Sequence, residues 1–222
     1  MKKYGCLIGA LVAVGLLGLY LMSTYNGLVA ADEEVKQKWS AVESAYQRRA
    51  DLVPNLVATV KGSANFEQET LTRVIEARSK ATSVQINADN LSDPQKFAQF
   101  QQAQDGLSSA LSRLLAVVES YPQLQSVQGF RDLMVQLEGT ENRITTARNR
   151  FIKAVQEFNI LARQFPTNLT AMMFGYKEKP SFTVEDEKAI SRPPKVDFAP
   201  KPAAPAQPAP AQPAPAQPAP AK

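Results

Sequence analysis

Residues 46–56 read YQRRADLVPNL, and they are the most informative part of the chain. They belong to a series at alternating steps of three and four residues: Tyr25, Leu28, Asp32, Val35, Trp39, Val42, Tyr46, Arg49, Val53, Leu56 and Val60. This spacing predicts a helix that packs along its length against other helices. Arg49 holds a packing position, where an unpaired charge costs several kcal/mol. Pro54, which follows in the same helix, costs about 3 kcal/mol and predicts a kink. The stretch therefore indicates a structural or functional requirement at this level of the helix.

Two further series predict two more long helices. One contains Phe97, Phe100, Gln104, Leu107, Leu111, Leu114, Val118 and Tyr121, and the other contains Phe130, Leu137, Ile144, Phe151, Phe158 and Phe165. A shorter amphipathic stretch from Glu67 to Ser83 supplies a fourth helix. Gly62-Ser63, Ser92-Asp93-Pro94 and Tyr121-Pro122 mark the boundaries, with Ser92 or Asp93 as the N-cap before Pro94. The expected fold is all-α: an elongated antiparallel four-helix bundle whose last helix runs from Gln123 to Phe165.

The N-terminal segment is predicted to be a transmembrane helix that continues into the first bundle helix. Tyr4 to Met22 contains no charged residue, and its roughly 19 residues would extend about 28 Å, close to the thickness of the hydrocarbon layer. Its apolar side chains include Leu7, Leu11, Leu16, Leu19 and Met22. A cleaved signal peptide is the alternative. Lys2 and Lys3 precede the segment and acidic residues follow it, which favours a cytoplasmic N-terminus and a bundle across the membrane.

The C-terminal part is proline-rich, and we expect it to be disordered. From Pro205 onward the unit Ala-Gln-Pro-Ala-Pro recurs, a composition that favours an extended conformation without a core. We interpret it as a spacer or solvated tail, with a ligand for an aromatic-lined groove as the alternative. The preceding residues, Asn168 to Phe182, are apolar enough to fold back on the bundle. The predicted organisation is a membrane anchor at 1–24, a helical bundle at 25–182 and a tail at 183–222.

Composition excludes several classes of function. The chain has 25 basic and 21 acidic residues, a balance that argues against a nucleic-acid binder. It has no histidine, and Cys6 is the only cysteine. Histidine-based catalytic triads, histidine-ligated metal sites, cysteine-based zinc sites and internal disulfides are therefore excluded. We expect no cofactor, no metal and no small-molecule substrate.

The polar residues around Arg49 form a candidate site. The set comprises Arg48, Arg49, Asp51, Asn55, Glu119, Glu141, Asn142 and Arg148, with Glu67 and Arg78 as further candidates on facing helices. A buried arginine requires carboxylate partners, and Glu141 and Glu119 are the candidates for Arg49 and Arg148. Two interpretations are open. The layer either fixes the register of long, similar helices or binds a partner or ligand.

Several motifs occur in order along the chain. They are YNGLV (Tyr25 to Val29), Trp39, YQRRADLVPNLVATVKG (Tyr46 to Gly62), ESYP (Glu119 to Pro122), Thr140-Glu141-Asn142, Ala147-Arg148, Phe165-Pro166, FGYKEKPSF (Phe174 to Phe182) and Val196-Asp197-Phe198. Together they resemble the LemA family from Tyr25 to about Phe198. The chain departs from the family pattern in two respects: Phe66-Glu67 replaces a His-Glu pair, and Phe151-Ile152 and Phe158-Asn159 replace Tyr-Asn pairs. An essential histidine or tyrosine hydroxyl at those positions is therefore excluded here.

The resemblance implies a bacterial single-pass protein of the cytoplasmic (inner) membrane with a helical bundle and no established enzymatic activity. We expect a non-enzymatic scaffold or interaction domain at the envelope. Its partners would be the lipid bilayer and other envelope proteins, and a homo-oligomer is compatible with the pattern. A signal-transducing bundle and an accessory factor of a membrane protease are the alternatives. An enzyme with paired carboxylates is the least favoured, because the acidic residues fall mostly on exposed helical faces.

Overall fold

A computed structural model of the chain describes residues 2–62, 67–87 and 90–182. These residues form helices and contain no strand. The helices are α1 (Lys2–Lys61), α2 (Gln68–Ser83), α3 (Pro94–Val118), α4 (Pro122–Gln125), α5 (Gln128–Arg163) and α6 (Thr167–Met173). The all-α prediction is confirmed. The predicted proline-rich tail, residues 183–222, lies outside the described residues.

Helix α1 is continuous from the N-terminal apolar segment into the bundle, as the sequence predicts. Among the described residues it is the one helix long and apolar enough to cross a membrane, judged by length and composition. Leu11, Leu16, Leu19 and Met22 are largely exposed, and Leu7 lies in the same helix. The packed part of α1 begins at Leu28, which is fully buried. One helix therefore contains both the candidate membrane segment and residues of the buried core.

Contacts to α1 define the directions of the other long helices. Trp39 contacts Phe97 of α3 and Phe151 of α5, and Arg49 further along contacts Gln104 of α3 and Glu141 of α5. Helix α3 therefore runs parallel to α1, and α5 runs antiparallel to it. Helix α2 is also antiparallel to α1. Arg78 of α2 donates to the carbonyl of Ala50, whereas Ile86, which follows α2, accepts from the indole of Trp39, which lies earlier in α1.

The buried apolar residues form two clusters on either side of Arg49. The proximal core, nearer the N-terminal segment, surrounds Trp39 and includes Leu28, Val35, Val42, Tyr46, Phe97, Phe100, Ile144, Phe151, Phe158 and Phe182. The distal core includes Val53, Leu56, Val60, Leu71, Val74, Leu107, Leu111, Leu114, Leu124, Phe130 and Leu137. These residues are largely those of the three predicted series, which confirms the periodicity as the source of the core.

The predicted start of α3 is confirmed, whereas the predicted extent of the last helix is wrong. Asp93 caps α3 by accepting hydrogen bonds from the backbone N–H groups of Gln95 and Lys96, as its position before Pro94 predicts. The prediction of one helix from Gln123 to Phe165 is wrong. The chain forms α4, breaks, and begins α5 at Gln128. Phe165 is 76% exposed instead of packed, because α5 already ends at Arg163. Phe165 precedes Pro166, and the residue before a proline disfavours the helical conformation.

The segment after α6, residues 174–182, folds back along the proximal core, and we call it the strap. The side-chain amide of Asn159 both accepts from the backbone N–H of Lys179 and donates to its carbonyl, at 2.9 Å each. Phe182 inserts beside Trp39, Phe97 and Phe151, with ring centroids 4.9–6.4 Å apart. The expectation that this segment returns to the bundle is confirmed.

Pro54 lies inside α1, exposed, without ending the helix. Because proline has no N–H, the carbonyl of Ala50, four residues earlier, lacks its helical donor. Arg78 of α2 replaces that donor: its Nε lies 2.7 Å from the Ala50 oxygen. A neighbouring helix therefore satisfies the carbonyl group that Pro54 leaves free. The kink at Pro54 stays a prediction.

This replacement predicts a coupling between Pro54 and Arg78. Arg78→Met should lower the free energy of unfolding by about 1–3 kcal/mol, because it leaves a partly buried carbonyl without a donor. In a Pro54→Ala background the restored N–H supplies the donor, so the same substitution should cost less. Chemical denaturation of the four variants, followed by circular dichroism, measures the difference. Arg73→Met, an exposed change on the same helix, is the control. An equal cost of Arg78→Met in both backgrounds contradicts the assignment.

Candidate functional site

Arg49 is buried to 1% exposure at the contact of α1, α3 and α5. Its Nη1 donates to Ser108 Oγ at 2.6 Å and to Glu141 Oε1 at 3.3 Å. Its Nη2 donates to the backbone oxygen of Gln104 at 3.0 Å and to the side-chain oxygen of the same residue at 2.9 Å. A guanidinium is a positively charged group with several N–H donors, so its burial requires acceptors from the protein. The four bonds tie α1 to α3 and α5 at one level.

The hydrogen-bond network extends from Arg49 to α2. The side-chain nitrogen of Gln104 donates to the carbonyl of Ala81 in α2 at 3.1 Å. Thr140 of α5 is also buried at this level, with its hydroxyl bonded to the carbonyl of Gln136. Arg49, Gln104 and Thr140 occupy positions that are otherwise apolar in their helices, between the proximal and distal cores. We call Arg49, Gln104, Ser108, Thr140 and Glu141 the Arg49 layer.

One buried donor of the Arg49 layer has no acceptor. Arg49 Nε makes no hydrogen bond within the described part of the chain. The face of the guanidinium lies over the Tyr46 ring, 5.0 Å from its centroid, and this contact compensates part of the charge. Burial raises the pKa of the Tyr46 hydroxyl, although the nearby positive charges of Arg148 and Arg49 oppose the rise.

The structure brings together only part of the predicted polar set. Arg49 and Glu141 form an ion pair, which is one of the two expected pairings. Glu119 is exposed at the C-terminal end of α3, about 16 Å along the helix axis from Ser108, and does not join the layer. Arg148 lies over the Phe182 ring of the strap, 4.3 Å from its centroid. The remaining members are exposed on α1 and α5: Arg48, Asp51, Asn55 and Asn142.

Gln104 and Ser108 complete the coordination of Arg49, yet the sequence does not single them out. Both residues are neutral, and a search for carboxylates passes over them. A signal was present, because Gln104 interrupts the apolar series of α3 as Arg49 interrupts that of α1. Two polar interruptions of parallel helices at matching levels indicate a shared polar layer.

Three of the exposed predicted residues line an open groove between α1 and α5: Arg48, Asp51 and Asn142. The groove has a volume of about 1150 Å³ and lies beside the Arg49 layer. Four of its lining side chains are basic and two are acidic: Lys38, Arg48, Arg143 and Arg150 against Glu43 and Asp51. Asp51 accepts a hydrogen bond from Gln47, and Lys38 pairs with Glu34 at 3.5 Å. The groove therefore presents the three exposed guanidinium groups of its lining to solvent.

Comparison with known proteins identifies the family. The LemA family model matches residues 38–198, which contain the Arg49 layer, all but one of the groove-lining residues, and the strap. The chain belongs to the LemA family. This agrees with the resemblance carried by the motifs of the sequence.

The relatives of this LemA family chain include magnetosome proteins. It is 29% identical to magnetosome protein MamQ 2 of Paramagnetospirillum magneticum over 191 residues, which cover 79% of the chain and 70% of the relative. It is 27% identical to magnetosome protein MamQ of Magnetospirillum gryphiswaldense over 173 residues, 71% of the chain and 64% of the relative. It is 22% identical to protein LemA of Metamycoplasma hominis over 171 residues, 77% of the chain and 74% of the relative.

A second charged cluster fixes the strap of the LemA family chain to α1. Lys179 Nζ lies 2.8 Å from Asp32 Oδ1, and both side chains are largely buried. Lys36 also approaches Asp32, at 2.9 Å. Burial raises the pKa of the Asp32 carboxyl, but the hydrogen bonds and charges of Lys179 and Lys36 outweigh it and hold the pKa below its ordinary value. Asp32 is therefore a charged anchor for the strap at neutral pH.

The geometry of the Arg49 layer predicts unequal costs for its two charged members. Arg49→Met should be strongly destabilising, because each buried polar group of α3 that loses its donor costs about 1–3 kcal/mol. Glu141→Gln should cost less than about 1 kcal/mol, since the Glu141 side chain is 44% exposed and its contact to Arg49 is long. Denaturant unfolding of the full chain measures both effects.

Arg48→Met is the matched control, because it makes the same change one residue earlier, where the side chain is exposed. We expect its free energy of unfolding to stay within about 0.5 kcal/mol of the wild type. Similar losses for Arg48→Met and Arg49→Met would show that the network around Arg49 does not carry the stability.

Proposed function

We propose that this LemA family protein is a non-enzymatic, single-pass anchored scaffold of the bacterial inner membrane whose bundle binds other envelope proteins. The supporting observation is that α1 alone carries the candidate membrane segment, the central residue of the Arg49 layer and one wall of the basic groove. A surface on that helix is held at a set distance from the bilayer. The bundle would lie on the extracytoplasmic side, as the flanking lysines favour.

The Arg49 layer serves in this proposal to set the register of the bundle. Its donors and acceptors come from different helices and match at one level only, whereas the apolar positions above and below repeat every seven residues. A slip by one repeat would keep apolar contacts but leave the guanidinium without acceptors. The layer therefore penalises alternative alignments of α1 and thereby fixes the two walls of the groove.

The groove is the proposed docking surface, and an acidic segment of a partner protein is the proposed occupant. Arg48, Arg143 and Arg150 converge on it from two helices, and arginine forks bind carboxylates in pairs of hydrogen bonds. The excess of basic over acidic lining residues supplies the complementary charge.

A signal-transducing bundle is less well supported than the scaffold. The continuity of α1 fits both functions, and Pro54 is the natural hinge of a relay. However, Arg78 bonds to the Ala50 carbonyl that Pro54 frees, at 2.7 Å, which stabilises the helix at that point. A hinge is expected to lack such a bond to a neighbouring helix, so the observation favours a static scaffold.

Photo-crosslinking in intact cells tests the docking surface. A photoreactive residue at Thr146, exposed in the groove, should give a discrete adduct with an envelope protein in the wild-type background. The charge reversals Arg143→Glu and Arg150→Glu together should abolish it, because the groove then repels acidic segments. The control reverses Arg113 and Arg131, which are also exposed but lie outside the groove, and should leave the adduct unchanged.

Circular dichroism of both double variants checks that the helices persist. An adduct that survives reversal of the groove charges, or that disappears equally in the control, contradicts the proposed docking surface.

A further inference from the structure

An unusual apolar surface surrounds α6. Five large apolar side chains within a short stretch are exposed: Phe165 at 76%, Leu169 at 53%, Met172 at 78%, Met173 at 69% and Phe174 at 54%. The opposite side of α6 instead buries Thr167, Thr170 and Ala171. A helix on the surface of a protein in water buries its large apolar residues and exposes its small polar ones. We call the five exposed side chains the α6 patch.

The α6 patch lies beside the end of the candidate membrane segment. Thr170 Oγ1 is 3.1 Å from Thr24 Oγ1, and the rings of Phe174 and Tyr25 have centroids 4.5 Å apart. Thr24 follows Met22 by two residues, which is about 3 Å along a helix. Helix α6 is therefore placed at the level where the apolar run of α1 gives way to polar residues.

Contacts on both sides of α6 fix its position. The backbone N–H of Tyr176, just after α6, donates to the carbonyl of Ala171 at 2.9 Å. Further along, Lys179 of the strap is bonded to Asn159 of α5 and paired with Asp32 of α1. Since so short a helix is unstable alone, these tertiary contacts determine where the α6 patch points.

We infer that the α6 patch inserts into the interfacial layer of the same bilayer that α1 spans, as a second membrane contact. The inference rests on the proposed membrane anchor. Lipid is the favoured occupant because the patch lies beside the end of the exposed apolar segment of α1, where Leu19 is 68% and Met22 is 64% exposed. An apolar helix face at this level enters about 5–10 Å below the headgroups. Two attachment points would fix the tilt of the bundle against the membrane, which a single helix leaves free.

Depth-dependent fluorescence quenching on the full chain tests this inference. In a Cys6→Ala background, single cysteines are introduced at Met172 in the α6 patch, at Leu16 in the candidate span and at Val135 on α5. Val135 is the matched control, because its side chain is 70% exposed and as apolar as that of Met172 at 78%. Each variant carries an environment-sensitive fluorophore. The vesicles contain phosphatidylcholine and phosphatidylglycerol, with nitroxide lipids labelled either near the headgroup or deep in the acyl chain.

We expect the probe at Met172 to be quenched more strongly by the shallow label, the probe at Leu16 by the deep label, and the probe at Val135 by neither. A Met172 probe that behaves like the Val135 probe while Leu16 is quenched overturns the inference and leaves the anchor intact. Quenching at Met172 without quenching at Leu16 sustains the α6 contact and contradicts the anchor. A Met172 probe that is shielded from water but unquenched by lipid shows a protein partner on the patch, which also overturns the inference.

Discussion

The buried guanidinium of Arg49 is the constraint on which the rest of the bundle depends. It has 1% exposure and therefore needs acceptors within the protein, which Gln104, Ser108 and Glu141 supply. Gln104 in turn bonds to Ala81, so α1, α2, α3 and α5 are connected at one level. Apolar contacts above and below this level are plentiful but tolerant of shifts, whereas hydrogen bonds to a fixed charge are directional. We propose that satisfying this one group restricts the alignment of the helices and thereby the position of the groove.

Pro54 is tolerated because a side chain from another helix replaces the hydrogen-bond donor that proline lacks. A proline inside a long helix leaves a carbonyl without a donor, and Arg78 from α2 supplies the donor to Ala50. The sequence block that carries both Arg49 and Pro54 thus contains two local defects, each repaired by a side chain from another helix. Together they couple α1 to α2 and α3 more specifically than apolar packing alone.

Much of this fold could be predicted from periodicity, since Val35, Trp39, Val42 and Val53 are buried as their spacing indicates. The partners of Arg49 could not, because a neutral glutamine and a serine give no charge signal, and Glu119 was the more conspicuous candidate. Phe165 shows the opposite failure: its spacing is right, but α5 ends before it. Its exposure became interpretable only when α6 was seen beside Thr24, a contact between residues 146 positions apart that no local pattern contains.

The most direct test of the register claim is a distance distribution between α1 and α5, measured by pulsed electron paramagnetic resonance. Spin labels at Ser40 and Lys153, both exposed, report the alignment of the two helices in a Cys6→Ala background. Arg49→Met, Gln104→Met and Ser108→Ala remove the side chains through which α1 and α3 are bonded in the Arg49 layer. The account predicts that this variant stays helical but gains a second distance population, since a slip of one heptad moves a helix by about 10 Å. A single narrow distribution identical to that of the parent protein would contradict it and would assign the Arg49 layer to binding instead of register.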